Sequence, residues 1–294
     1  MSQQAETPFP RLWEESENTP YISFMQMLKI KEVCAAHQPE HKMHCYQSAV
    51  SGLSYGFILV GLAHLVLHRK AQSSYGRHMA PSCPGRKVPA RPAWFLQEMP
   101  ALLIPLLLMF LMHESSAVGK HLLLKTFCLH YFQRTFVYSL LTRGQPFPLS
   151  VMMAAAFFCS INGFLQAHYL LHCAHLDDAW LSGYPCKIGL LMFYTGMAIN
   201  VHSDYILRNL RKPSEVVYKI PTGGLFQYVS GANYFGEIVE WFGYAVATWS
   251  LPTLSFAVFS LSFIGPRAHY HHRFYQEKFN EYPKSRKALI PFLL

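Results

Sequence analysis

The chain has 294 residues, of which 51% are hydrophobic, 15% aromatic and only 14% charged. A soluble domain carries roughly 25% charged residues, so this composition argues against an ordinary soluble fold. The formal net charge of +9 suits a membrane surface, an anionic ligand or nucleic acid, and the 7 cysteines, odd in number and without a CxxC pair, argue against a disulfide framework or a Cys-type zinc site and read as mostly buried free thiols.

Residues 1–42 are polar, with Glu6, Glu14, Glu15 and Glu17 among Pro8, Pro10 and Pro20. They lack the basic n-region and apolar h-region of a signal peptide and read as a poorly ordered extension. Residues 43–294 read as one membrane domain, and Met43 could itself be a start site. Seven apolar segments follow, centred near Val60, Leu103, Tyr131, Phe158, Phe193, Tyr244 and Phe259. Their approximate extents are Ala49–Leu67, Ala93–Met112, His121–Leu141, Leu149–Leu171 and Ile188–Leu207, with the last two joined tightly near Pro252. A membrane-spanning helix needs about 20 apolar residues, so the expectation is an all-α bundle of seven transmembrane helices.

Basic residues give an independent test. Arg69, Lys70, Arg77, Arg86, Lys87 and Arg91 lie between spans one and two, and Arg143 follows span three. Arg208, Arg211, Lys212 and Lys219 follow span five, and Arg267, Arg273, Lys278, Lys284, Arg286 and Lys287 follow span seven. The opposite loops hold Lys120 and Lys187, with Asp177 and Asp178 after span four. With seven spans the basic loops fall on one side, which the positive-inside rule makes cytosolic. The N-terminus is then lumenal and the C-terminus cytosolic.

Several polar residues interrupt the apolar pattern. Glu98, in "PAWFLQEMP", lies within span two; it is either a water-facing carboxylate or an inward-facing one kept protonated as a donor by desolvation. Span three carries His130, Tyr131 and Arg134 in "CLHYFQRTFVYSLL". An aromatic in such a helix is ordinarily packing, but a buried phenol needs a partner, and His130 alone would be a satisfied polar residue between helices. In "NVHSDYILRNLRKP", Asn200, Asp204, Arg208 and Arg211 share one face of a helix leaving the membrane. The plain alternative there is a solvated helix end with an Asp204–Arg208 pair. Gly223, Gly224, Gly231 and Gly236 permit a tight turn or close backbone approach, but form no GxGxxG fingerprint. Arg267, His269, His271, His272, Arg273 and Tyr275 make a basic, aromatic lip that suits a phosphorylated ligand better than a metal.

These residues lie in longer motifs. "HYFQRTFVYSLLTRG", "NVHSDYILRNLRKP", "YVSGANYFGEIVEW" and "YPKSRKALIPF" resemble the steroid 5α-reductases (3-oxo-5α-steroid 4-dehydrogenases), and the wording "SGANYFGE" and "HHRFY" is nearest the type 2 branch. The resemblance is close from Tyr75 to Leu294 and looser over the first span. It implies NADPH-dependent reduction of the Δ4 double bond of 3-oxo-Δ4-steroids by a seven-helix bundle of the endoplasmic reticulum membrane. It further implies that Glu98 and Tyr131 hydrogen-bond the steroid C3 carbonyl. Phe158, Cys159, Trp241, Phe259 and Phe263 would line the steroid pocket. Asn200, Asp204, Arg211, Tyr218, Asn233, Arg267, His271 and Tyr275 would bind the cofactor. Thr142, Gln145 and Ala154 depart from the type 2 pattern, Gln145 where a cation would pair with phosphate. The partners so implied are a steroid and membrane lipid, with no metal, nucleic acid or obligate protein partner. The alternatives are a related reductase of polyprenols or enoyl-CoA chains and, in a different class, a seven-span receptor or transporter.

Overall fold

The computed structural model describes residues 45–67, 85–111, 118–210, 215 and 217–293. The extension expected over residues 1–42, and Cys34, Arg69, Lys70, Arg77, Cys83, Arg211 and Lys212, lie outside them.

The described chain is predominantly helical, as the apolar runs predict. The long helices are α1 (Gln47–Leu67), α2 (Ala90–Leu111), α3 (Val118–Phe132), α4 (Leu149–His168), α6 (Tyr184–Asn209), α7 (Ala232–Thr248) and α8 (Leu251–Lys278), with a short α5 (Asp178–Ser182) before α6. Helix α3 runs on through a π-helical segment, Gln133–Tyr138, into Ser139–Leu141. Helix α4 likewise ends in a π segment, Tyr169–Cys173. Each of the seven apolar segments falls on a long helix. Three of these are long and apolar enough to cross a membrane: Gln47–Leu67, Ala90–Leu111 and Leu149–Cys173.

Local chemistry sets the ends. The Asp177 carboxylate caps α5 by accepting from the Trp180 amide at 2.9 Å, the usual way to satisfy an orphan N–H. Proline stands in the first turn of α6 and of α8, where a missing N–H costs nothing. Trp249, in the left-handed region at φ 47°, ends α7, so α8 starts two residues later at Leu251. Pro100 and Pro105 sit inside α2 and Pro266 inside α8, interruptions that neighbouring helices make tolerable in a membrane.

Small residues bring the helices together. Helices α6 and α7 approach at backbone distance: a Cβ on Gly236 would lie 2.6 Å from the Asn200 nitrogen and one on Gly243 2.5 Å from the Phe193 nitrogen. Gly189 and Gly196 on α6 face Ala247 and Glu240 on α7 in the same way. Gly163 of α4 meets Ala101 of α2, and Gly61 of α1 meets Ser262 and Phe259 of α8. Such small-residue seams are how helices associate without a hydrophobic driving force between them. A two-residue antiparallel ladder, Lys87 with Pro148 and Val88 with Phe147, ties the start of α2 to that of α4. Between the helices lies an aromatic core of Phe127, Phe193, Trp241 and Tyr244, each at most 1% exposed. Outward, Leu59, Val66, Phe110 and Phe157 are 66–70% exposed, an apolar surface suited to lipid.

The cysteines depart from expectation. Cys45, just before α1, is disulfide-bonded to Cys173 at the end of α4, across 128 residues. Cys128, Cys159 and Cys186 are free and buried, as read from the sequence. An odd count and the lack of a spacing motif carry no information about one pairing set by tertiary structure.

Candidate functional site

Three helices converge on a polar centre in the apolar interior. Helix α2 contributes Gln97 and Glu98, α3 contributes His130, Tyr131 and Arg134, and α4 contributes Cys159, Asn162 and Gln166; all eight are buried. Gln97 Nε2 donates to Glu98 Oε1 at 3.5 Å, and Cys159 Sγ lies 3.9 Å from Glu98 Oε2. Asn162 Nδ2 donates to the Tyr131 hydroxyl oxygen at 3.2 Å. Glu98 is thus inward-facing, and both it and Tyr131 stand where charge is dear and a substrate oxygen would be desolvated. His130 is satisfied between helices, its Nδ1 2.7 Å from Glu240 Oε1 of α7.

Of the residues expected to line a pocket, Phe158, Trp241, Phe259 and Phe263 join through Phe256, a residue not singled out in the sequence, into one run of ring contacts beside this centre. Phe263 stacks on Phe259 at 4.3 Å, Phe259 on Phe158 at 4.2 Å, and Phe158 meets Phe256 at 6.0 Å. Phe256 contacts Trp241 at 4.5 Å, and Trp241 lies 6.0 Å from Tyr131. Phe57 of α1, which the sequence did not single out, packs on Phe158 and Phe259 at 5.1 and 5.4 Å.

Arg134 links this interior to the helix end quoted above. Its guanidinium lies 3.9 Å from Glu98 Oε1 and 3.7 Å from Asp204 Oδ2. It is also stacked over Tyr138 at 4.1 Å and Trp94 at 4.7 Å. Asp204 was expected to pair, in the plain reading, with Arg208 one turn on; its ion pair is with Arg134 instead, because the helix face bearing it turns toward the bundle and not toward water. Asn200, at 2% exposure, donates through Nδ2 to the Asn233 carbonyl at 3.0 Å across the glycine seam.

The other residues expected to bind a cofactor fall into two sets. The Tyr234 hydroxyl, next in sequence to Asn233, is 3.0 Å from His271 Nε2, and Arg267 lies 5.9 Å from the Tyr234 ring. Tyr218 and Tyr275 instead flank Phe274, at 5.2 and 5.8 Å, and Tyr275 stacks on Tyr282 at 5.5 Å. Ser230 Oγ sits 2.6 Å from both His272 Nδ1 and the Tyr282 hydroxyl. Burial, then nearby His269 and Lys287, lowers the His272 imidazole below its ordinary range, so it is neutral near pH 7. Gly223 and Gly224, with φ of 93° and 48°, supply a tight turn ahead of Ser230 and α7.

The residues fit a dinucleotide. Asp204 Oδ2 is shielded from solvent and accepts no hydrogen bond, an acceptor open to a hydroxyl or amide donor. Arg267 and His271 carry donors of the kind that bind phosphate.

Two residues of this centre went unmarked in the sequence, Asn162 and Gln166. Both are fully buried, and their spacing of four in an apolar span puts two amides on one helix face.

The chain matches known proteins in sequence. Residues 145–294 match the family model described as 3-oxo-5-alpha-steroid 4-dehydrogenase. The chain is 52% identical over 255 residues to 3-oxo-5-alpha-steroid 4-dehydrogenase 2 of Homo sapiens, covering 86% of this chain and 99% of that one. It is 51% identical to the corresponding protein of Macaca fascicularis, with the same coverage. It is 48% identical over 250 residues to 3-oxo-5-alpha-steroid 4-dehydrogenase 1 of Homo sapiens, covering 83% and 95%. The matches to these relatives run through the helices that carry Glu98, Tyr131 and Asp204, while the family model covers the part from residue 145 onward, and the chain belongs to the 3-oxo-5-alpha-steroid 4-dehydrogenase family of oxidoreductases.

Proposed function

We propose that this protein reduces the Δ4 double bond of 3-oxo-Δ4-steroids, of the testosterone and progesterone class, to 5α-reduced 3-oxo-steroids with NADPH. The observation that carries this reading is a pair of buried oxygen-bearing side chains, Glu98 and Tyr131, beside an unbroken aromatic wall. A rigid hydrocarbon with a single polar end requires that combination.

The chemistry follows from the residues. NADPH, when bound, supplies the hydride that adds to steroid C5, the β-carbon of the enone. Negative charge then develops on the C3 oxygen as an enolate, and a proton added at C4 completes the reduction. Tyr131 and a protonated Glu98 donate hydrogen bonds to that oxygen in a dry site, the kind of preorganised stabilisation that lowers a barrier most. The aromatic wall orients the steroid and excludes water. Arg134 holds Glu98 on one side and Asp204 on the other, coupling the substrate centre to the cofactor mouth. Asn200, Asp204, Asn233, Arg267 and His271 would hold the dinucleotide, with Arg211, Tyr218 and Tyr275 completing its wall. Arg211 in particular would favour NADPH over NADH by pairing with the 2′-phosphate.

The same reading includes seven membrane spans in the endoplasmic reticulum, with the N-terminus lumenal and the C-terminus cytosolic. The basic loops support it, and so does the disulfide. Cys45 and Cys173 flank the ends of spans one and four, which are lumenal in this topology, and disulfides persist in that oxidising compartment.

The test is product analysis after incubating membranes containing the protein with NADPH and a panel of 3-oxo-Δ4-steroids. The expected product is the 5α-dihydro steroid. Reduction of a polyprenol or an enoyl-CoA with the steroids untouched, or no NADPH consumption at all, would overturn the assignment.

A further inference from the structure

Behind Tyr131 runs a chain of hydrogen bonds whose direction is fixed at its far end. The backbone carbonyl of Pro252, at the start of α8, can only accept. Gln166 Nε2 lies 3.1 Å from it and 3.1 Å from Asn162 Oδ1. The Gln166 atom facing the carbonyl must therefore be its NH2 group, whose second hydrogen meets Asn162. That settles the Asn162 amide: its oxygen faces Gln166, so its own NH2 faces the other way, 3.2 Å from the Tyr131 hydroxyl oxygen. Reversing either amide would set like against like in a site where Asn162 and Gln166 are both fully buried, sacrificing buried hydrogen bonds that water cannot replace.

The consequence lies in the phenol proton. Since Asn162 donates, the Tyr131 oxygen accepts, and its O–H is not consumed within the chain. A donor on the phenol oxygen also polarises the O–H and strengthens what it gives onward. We propose that Asn162, held by Gln166 and the Pro252 carbonyl, is a positioning residue that keeps the Tyr131 O–H directed at the steroid C3 oxygen. This rests on the reading of Tyr131 as a donor to substrate.

The test is a double-mutant cycle with steroid turnover, steroid KM and NADPH affinity measured on folded protein. Asn162→Leu keeps the branched shape and the number of side-chain heavy atoms and removes the donor. It should lower kcat about tenfold, the effect of one hydrogen bond, with KM and NADPH affinity little changed. In a Tyr131→Phe background the same substitution should cost nothing further, because there is no phenol proton left to direct. A residue that only fills space would give the same fold loss in both backgrounds, and that result overturns the proposal, as does wild-type kcat in Asn162→Leu. Should Asn162→Leu not accumulate folded, Gln166→Met removes the anchoring amide at similar volume and is read by the same cycle. If Tyr131→Phe itself turns over at the wild-type rate, the donor reading fails and this inference with it. If Tyr131→Phe is impaired and Asn162→Leu is not, the inference alone fails.

Discussion

Arg134 Nη2 lies 3.9 Å from Glu98 Oε1 in an apolar interior, with both side chains about one-tenth exposed. The same guanidinium reaches Asp204 on another helix, so a single cation faces two carboxyl groups. Removing it leaves the Asp204 carboxylate without its counter-charge, which for a buried pair costs about 3–5 kcal/mol, and leaves the Glu98 carboxyl without its neighbour. Arg134→Leu is expected to lower the melting temperature, the turnover and the NADPH affinity together. Arg134→Lys should fall between, since an ammonium keeps the charge but loses the planar fork. Thermal unfolding in detergent and a cofactor titration check this; unchanged melting and turnover in Arg134→Leu would count against it.

Tyr131→Phe keeps the ring and its packing but deletes the hydroxyl. Turnover should fall by roughly 10²–10³, the usual cost of one oxyanion donor. Glu98→Gln, which retains an amide donor, should be milder than Glu98→Leu. The double mutant Glu98→Leu/Tyr131→Phe should lose less than the product of the single losses, because two groups stabilising one charge are non-additive. NADPH affinity should hardly move in any of them. Single-turnover kinetics with testosterone separates the chemical step from binding.

Arg211→Ala should weaken NADPH binding more than NADH binding if the guanidinium meets the 2′-phosphate. Nucleotide titrations that show both cofactors binding unchanged would return Arg211 to a simple positive-inside charge.

Sidedness is testable at Cys45. With Cys173→Ser in a background where Cys34 and Cys83 are also serine, the released Cys45 thiol should react with a membrane-impermeant maleimide only after sealed microsomes are permeabilised, as a lumenal site requires. Labelling of intact vesicles would reverse the topology. The substitution should also destabilise the fold, by about 2–4 kcal/mol, because it frees a long loop in the unfolded chain.

A chain started at Met43 should insert and turn over normally, since the apolar pattern and the family motifs lie beyond that point. Normal insertion without turnover would give residues 1–42 a role in the site.

The sequence carries the helices, because long apolar runs have few other outcomes. It also marks Glu98 and Arg134, since a charge inside such a run needs a reason. It does not carry their partners. That Arg134 meets Asp204, or His130 meets Glu240 across 110 positions, depends on how α3 packs against α6 and α7. The Cys45–Cys173 bond is illegible for the same reason. Asn162 and Gln166 were within reach: two amides four apart in an apolar helix are as informative as a buried charge, yet uncharged groups draw less notice.

The π segment Gln133–Tyr138 marks where this helix can be edited. A π turn carries more residues than an α turn over a comparable rise and a comparable sweep about the axis. Deleting one residue there, with Arg134 kept, would let the ordinary i→i+4 ladder close with little change in helix length or in the bearing of its two sides. Tyr131 before the turn and Ser139–Leu141 after it would keep their seats. A deletion within Val118–Phe132 has no such slack, because each residue lost from a regular α-helix turns everything beyond it by about 100°. The exposed Phe136 or Val137 is the residue this helix can spare.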